Sequence, residues 1–150
     1  MQDRKDKWTV GEWMTPNPKT ISSNLSVRSA FFTMRSEGIR HLIVVDNGHV
    51  QGIVTDRDLR RPDITDEPDG WHDYYRLDEE YEVRHVMTTD VIHVTPGDSL
   101  EKATRIFTTR RFGAVPVVDR NGELIGILST HDLLRALEDA LEQAGSYLRR

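Results

Sequence analysis

Two short strings carry the residues with the most chemical potential. They are Thr55-Asp56-Arg57-Asp58 and Ser129-Thr130-His131-Asp132, each preceded by a glycine three positions earlier, Gly52 or Gly126. In both, a hydroxyl and a carboxylate stand three residues apart where an apolar run gives way to a helical pattern. A carboxylate held there can accept hydrogen bonds from a diol such as ribose, as the acidic residue of dinucleotide-binding folds does. The hydroxyl can meet a phosphate or another sugar oxygen, and the free N–H groups of a helix start favour anions. The same residues also spell an acidic variant of the capping box, which needs no ligand. Taken alone, the four residues favour capping two to one. Positive charge stands near both strings. Arg57 and His131 lie inside them. An arginine is a good phosphate fork and equally an ordinary surface charge. His131 contributes charge only when protonated.

The elements that must position these residues repeat. Met14-Thr15 returns as Met87-Thr88, an offset of 73, at which Ile21 meets Val94, Ser26 meets Ser99 and Asp46 meets Asp119. One extra residue near Asn121 moves the offset to 74, which aligns Gly52 with Gly126 and Asp58 with Asp132. Such ordered matching identifies two copies of one unit. Each copy opens with a short alternating segment ending in Thr20-Ile21-Ser22 or His93-Val94-Thr95. A helix follows, capped by Ser26 or Ser99, with Val27, Ala30, Phe31 and Met34, or Leu100, Ala103 and Phe107, at helical spacing. Two apolar runs joined by Asp46-Asn47-Gly48 or Asp119-Arg120-Asn121-Gly122 read as a hairpin. A second helix then starts at the hydroxyl–carboxylate string. The expected fold class is α+β: two β-α-β-β-α repeats packed by approximate twofold symmetry around a shared core. Residues 8–61 form the first repeat and residues 83–137 the second.

Residues 62–82 form a connector rich in Asp and Glu, with Arg76 its one basic residue and Trp71, Tyr74, Tyr75, Leu77 and Tyr81 available to pin it. It reads as a solvated link before it reads as a regulatory loop. It does not fit a calcium loop, because Thr65 and Arg76 would occupy positions that need acidic ligands. Residues 138–150 extend the last helix, in which Leu133, Leu134, Leu137, Leu141 and Ala144 form an apolar stripe. Part of that stripe is expected to pack on its own module. The remainder is read with even weight as a face for a second subunit.

Composition removes several function classes. Of 150 residues, 37% are hydrophobic and 30% charged, enough for a core. A net charge of −5 argues against a nucleic-acid binder but leaves room for a local basic pocket. The absence of cysteine excludes disulfides, thiolate zinc sites and cysteine nucleophiles. The six histidines show no metal spacing, and G-x-S-x-G, H-E-x-x-H, Walker and G-x-G-x-x-G motifs are absent. The expectation is therefore a protein that is not an enzyme, without cofactor or metal. The lack of a long apolar run sets a cytoplasmic, membrane-free expectation.

The repeat resembles the CBS domain. The resemblance rests on Val10-x-x-Trp-Met14-Thr15 and Val83-x-x-Val-Met87-Thr88, on Val115-Pro116-Val117-Val118-Asp119, and on the two Gly-x-[Val/Leu]-[Thr/Ser]-x-x-Asp endings. It covers nearly all of the chain outside the connector and tails and looks like a stand-alone CBS pair. It implies a regulatory sensor that binds an adenosine-containing ligand (AMP, ADP, ATP or S-adenosylmethionine) in clefts between two repeats. It also implies a homodimer and a regulated protein reached in trans. Carried over by position, Asp58 and Asp132 would take ribose hydroxyls, with Thr55 and Ser129 assisting. Thr20, Ile21, His93 and Val94 would meet the base, as would Ile39, Arg40, His41, Phe112, Gly113 and Ala114. Arg40, His41, Arg57 and His131 would face phosphate. His93 reads more readily as a strand packing residue than as a ligand contact.

The copies differ where Arg40-His41 faces Gly113-Ala114, and where Ile43 stands opposite Pro116. Two unequal sites are therefore expected, one favouring an anion and one leaving room for a base. The competing reading is a ligand-free dimerisation or protein-interaction module.

Overall fold

The structure is a computed structural model, described for residues 6–59, 81–110 and 112–148. The acidic connector, apart from Tyr81 and Glu82, lies outside the described residues. The chain forms two compact units. Unit 1 comprises Met1–Pro18 with Ile92–Arg150, and unit 2 comprises Lys19–Val91.

Unit 2 holds β2 (Thr20–Ile21), α2 (Val27–Glu37), β3 (His41–Asp46), β4 (His49–Thr55) and α3 (Asp56–Leu59), followed by a 3-10 turn at Val83–His85. Ser26 caps α2 by accepting the Ser29 N–H at 3.1 Å, and Gly38 closes it in the left-handed conformation. Val27, Ala30 and Met34 face inward. β2 pairs parallel with β3, and β3 pairs antiparallel with β4 around Asn47-Gly48. Both turn residues have positive φ, 51° and 78°. This is what an Asn-Gly hairpin turn demands. Thr88 adds to the far edge, exchanging two backbone hydrogen bonds with Ile53 (3.0 and 2.9 Å).

Unit 1 repeats the plan. It contains α1 (Val10–Trp13), β1 (Thr15–Pro16), α4 (Leu100–Arg110), β5 (Ala114–Val118), β6 (Leu124–Ser129) and α5 (Thr130–Leu148). Val94 bridges parallel to Val117, β5 pairs antiparallel with β6, and β1 covers the far edge of β6. Ser99 caps α4 through the Lys102 N–H. Both hairpins carry a register shift at the same place, Val44/Val45 and Val117/Val118.

The two units are thus alike, but each completes its sheet with the opening segment of the other repeat. Val10 and Gly11 donate to the Asp98 and Pro96 carbonyls in unit 1. Val83 and Arg84 donate to those of Leu25 and Ser23 in unit 2. Each unit buries its own apolar cluster, and the repeats share through these exchanged segments. Val10 joins Val94, Leu100, Ala103, Val115, Val117 and Leu128, while Val83 joins Ile21, Val27, Leu42, Val44, Val54 and Leu59. Burying one such leucine is worth about 1.5–3 kcal/mol.

The stripe on the last helix splits. Leu133 packs on the core and Ala136 is buried, but Leu134, Leu137 and Leu141 are 62%, 52% and 61% exposed. Ala144 is exposed as well. Asp132, Leu133 and Ala136 lie on the inward side of the helix, and 134, 137 and 141 lie on the other.

Candidate functional site

The hydroxyl–carboxylate strings adopt the reciprocal cap in both units. The Asp58 carboxylate Oδ2 accepts the Thr55 N–H at 2.9 Å, and the Thr55 hydroxyl accepts the Asp58 N–H at 3.1 Å. In unit 1, Asp132 Oδ2 accepts the Ser129 N–H at 2.9 Å and its hydroxyl at 3.1 Å, and the Ser129 Oγ accepts the Asp132 N–H at 3.2 Å. The capping reading is therefore realised. It does not exhaust the carboxylates, since each has a second oxygen with its own lone pairs. For Asp58 that oxygen, Oδ1, has no partner among the described residues. Asp58 is nevertheless 8% exposed and Asp132 only 3%. A buried carboxylate with unused acceptor capacity is costly unless something else meets it.

In unit 2 the strands deliver the remaining residues to the same corner. His41 opens β3 directly opposite Thr55, and the Arg40 carbonyl accepts the Asp56 N–H at 3.1 Å. Thr20 and Ile21 lie beside Ile43 and Val44, two and three residues along β3. The Ile21 side chain is buried in the core, so Thr20 is the exposed member of that pair. Ile39 packs half-buried against the core, and Arg57 is exposed. Burial holds His41 below its ordinary value of 6.5, opposed by Asp56, aided by Arg40 and opposed again by Asp58.

In unit 1, Ala114 stands opposite Ser129, and the Gly113 carbonyl accepts the Thr130 N–H at 3.0 Å, matching the Arg40–Asp56 bond. Phe112 packs half-buried on the core. His93 and His131 are exposed. Val94 is scaffold: its side chain is buried, its N–H goes to Pro116 and its carbonyl to Val118.

One residue escaped the sequence reading. Arg135 donates to Asp132 Oδ1 at 3.3 Å, and its guanidinium lies 5.9 Å from the centre of the Trp13 ring. The signal was present, because residues three apart on a helix are neighbours. Trp13 in turn stacks on Trp8, with ring centres 6.0 Å apart and planes within 2°. In the repeat register the counterpart of Arg135 is Arg61, which lies outside the described residues. Among the described residues no cluster of three or more potential metal ligands occurs. No described helix is long and apolar enough to cross a membrane.

The exchanged sheet edges and twin capped strings define a paired-repeat module. The CBS domain model matches residues 10–62 and 83–139, and the chain belongs to the CBS domain family. It is 29% identical over 140 residues to the CBS domain-containing protein YhcV of Bacillus subtilis, covering 93% of this chain and 92% of that one. It is 33% identical over 126 residues to a homoserine O-acetyltransferase of Methanocorpusculum labreanum, covering 83% of this chain but only 23% of that protein. Among solved structures it superposes on CBSX2 from Arabidopsis thaliana with a TM-score of 0.78 at 28% identity, covering 90% of this chain and 97% of that one. A structure of CBSX2 in complex with AMP matches with a TM-score of 0.72 at 29% identity, covering 89% and 98%.

Proposed function

We propose that this chain is a non-catalytic regulatory module that binds an adenosine-containing ligand, AMP, ADP, ATP or S-adenosylmethionine, at the capped corner of each unit. The observation that carries this reading is the buried carboxylate of Asp58. It spends one oxygen on the helix cap and keeps the other for a partner, as a ribose-reading residue should. The solved AMP complex of CBSX2, at 29% identity, supports the same ligand class. Asp58 and Asp132 take ribose hydroxyls, with Thr55 and Ser129 beside them. Thr20, His93 and the segments Ile39–His41 and Phe112–Ala114 line the base. Arg40, His41, Arg57 and His131 face phosphate. The module carries no cofactor or metal of its own, works in the cytoplasm, and passes its state to an unidentified protein in trans.

The second reading, a dimerisation or interaction module without ligand, draws on the exposed Leu134, Leu137 and Leu141. The two are compatible, and we take the module to be a homodimer.

Thermal melting with AMP, ATP and S-adenosylmethionine tests the ligand reading. A ligand that binds only the folded state raises the midpoint, by about 2.7 kcal/mol of stability at a hundredfold excess over Kd. The expected result is a shift that shrinks in Asp58→Ala and Asp132→Ala. No shift with any of the three at millimolar concentration leaves the interaction reading in possession. A shift unchanged in both variants overturns the site assignment.

A further inference from the structure

The two candidate sites differ in where their histidines stand. His41 opens β3 opposite Thr55, whereas unit 1 has Ala114 in that place opposite Ser129. The His41 ring is half-buried and makes no hydrogen bond to any described residue. The charged groups that act on it are Asp56 and Asp58 on α3 and Arg40 immediately before it. Both ring nitrogens are thus available, within the corner that carries the Asp58 carboxylate and the exposed Arg40 and Arg57.

Resting on the ligand reading above, we propose that the unit 2 site takes the phosphate of an adenosine phosphate together with a proton, which His41 holds as an imidazolium. The site is therefore selective for a nucleotide over its nucleoside and tightens as pH falls. Unit 1 has Ala114 at that position, and its own histidines, His93 and His131, stand elsewhere in its site.

The physical argument is a balance of two fields. In the free protein, burial disfavours the charged ring, Asp56 favours it, Arg40 disfavours it and Asp58 favours it, and the net result holds the ring neutral at pH 7. A phosphate brings negative charge into the same corner and an acceptor for a ring N–H. Both favour the imidazolium. Binding then raises the ring's pKa, and by linkage a proton enters with the ligand. A neutral adenosine brings no such charge.

Calorimetry separates this from the underlying reading. Binding of AMP and of adenosine is measured at pH 7.0 in two buffers of different ionisation enthalpy, for the unaltered protein and for His41→Gln. The expected result is proton uptake with AMP that falls by up to about one per chain in His41→Gln, and little uptake with adenosine. Relative to His41→Gln, the AMP affinity of the unaltered protein rises by up to about tenfold per pH unit between about pH 8 and pH 6. The variant comparison removes the phosphate's own titration, which both proteins share. Should His41→Gln not fold, histidine proton resonances of the unaltered protein give the same answer. The His41 pKa should then rise by about one unit or more in saturating AMP and stay put in adenosine. Binding of AMP with no proton uptake, with uptake equal in His41→Gln, or with an unmoved His41 pKa overturns the proposal and leaves the ligand reading standing. Absence of AMP binding overturns both.

Discussion

Gly52 stands so close to Thr88 that a β-carbon built on it would lie 2.5 Å from the Thr88 carbonyl oxygen. The glycine of the repeated motif is there to let the Met-Thr segment of the other repeat pair with the strand edge. Gly126 plays the same part for Met14 and Thr15, but its nearest clash, at 2.6 Å, is with the Met14 sulfur, and the Thr15 oxygen lies at 3.1 Å.

A backbone carbonyl tied into a strand pair cannot move aside, whereas a methionine side chain can. Gly52→Ala is therefore expected to cost about 1–3 kcal/mol and Gly126→Ala less. Chemical denaturation of both variants checks this. Equal costs would mean that the two exchanged edges yield alike.

The caps carry stability of their own. Thr55→Val and Ser129→Ala each remove the hydroxyl that accepts the N–H of the carboxylate residue. Each should cost about 0.5–2 kcal/mol in ligand-free melts. The Ser129 change additionally removes a donor to Asp132, so it should sit at the upper end.

Arg135→Met keeps an apolar stem against Trp13 while removing the ion pair to Asp132. The arginine is 55% exposed, so solvent screens the pair and the cost should stay under about 1 kcal/mol. The sharper readout is ligand binding in unit 1, because Asp132 Oδ1 is released. AMP affinity measured with Asp58→Ala in the background should change with Arg135→Met. No change would place Arg135 outside ligand recognition.

Acid should weaken the fold in two windows. His41 is held below 6.5 when folded, mainly by burial. The unfolded chain then binds a proton first, so ligand-free stability falls as pH drops below about 6.5 and levels off below the folded value. Asp46 is lowered by its Ser23 hydrogen bonds. Asp98, although burial pushes it up, is lowered by Thr95 and Lys102. Their contribution is present above the ordinary value of 3.8 and is lost as pH falls through the lower folded values. Urea midpoints from pH 8 to pH 2 should show both falls, with the first absent in His41→Gln.

Leu137→Glu places a charge in the middle of the exposed leucine face and removes nothing from the core. Sedimentation should show the unaltered protein as a dimer and the variant shifted toward monomer, with the melting midpoint at low concentration little changed. A monomer in both would set the homodimer aside.

The sequence by itself determined the local structure. The Ser26 and Ser99 caps, the Asn47-Gly48 turn, the paired apolar runs and the capped Thr55–Asp58 and Ser129–Asp132 strings are all short-range, and side chains a few residues apart specify them. That His41 and Thr55 share a corner was implied by the resemblance to the CBS domain and not by any local pattern. Only the tertiary structure decided which repeat's segment completes which sheet. Periodicity says that a strand edge needs a partner and is silent on whose, and the motif glycine, present in both repeats, makes room without choosing. Tertiary structure also turned Leu134, Leu137 and Leu141 outward, because the unit's core takes Leu133 and Ala136 from the other side of the helix. It likewise set the Arg135 guanidinium beside Trp13, which arrives from the other end of the chain, whereas the spacing of Arg135 from Asp132 was already local.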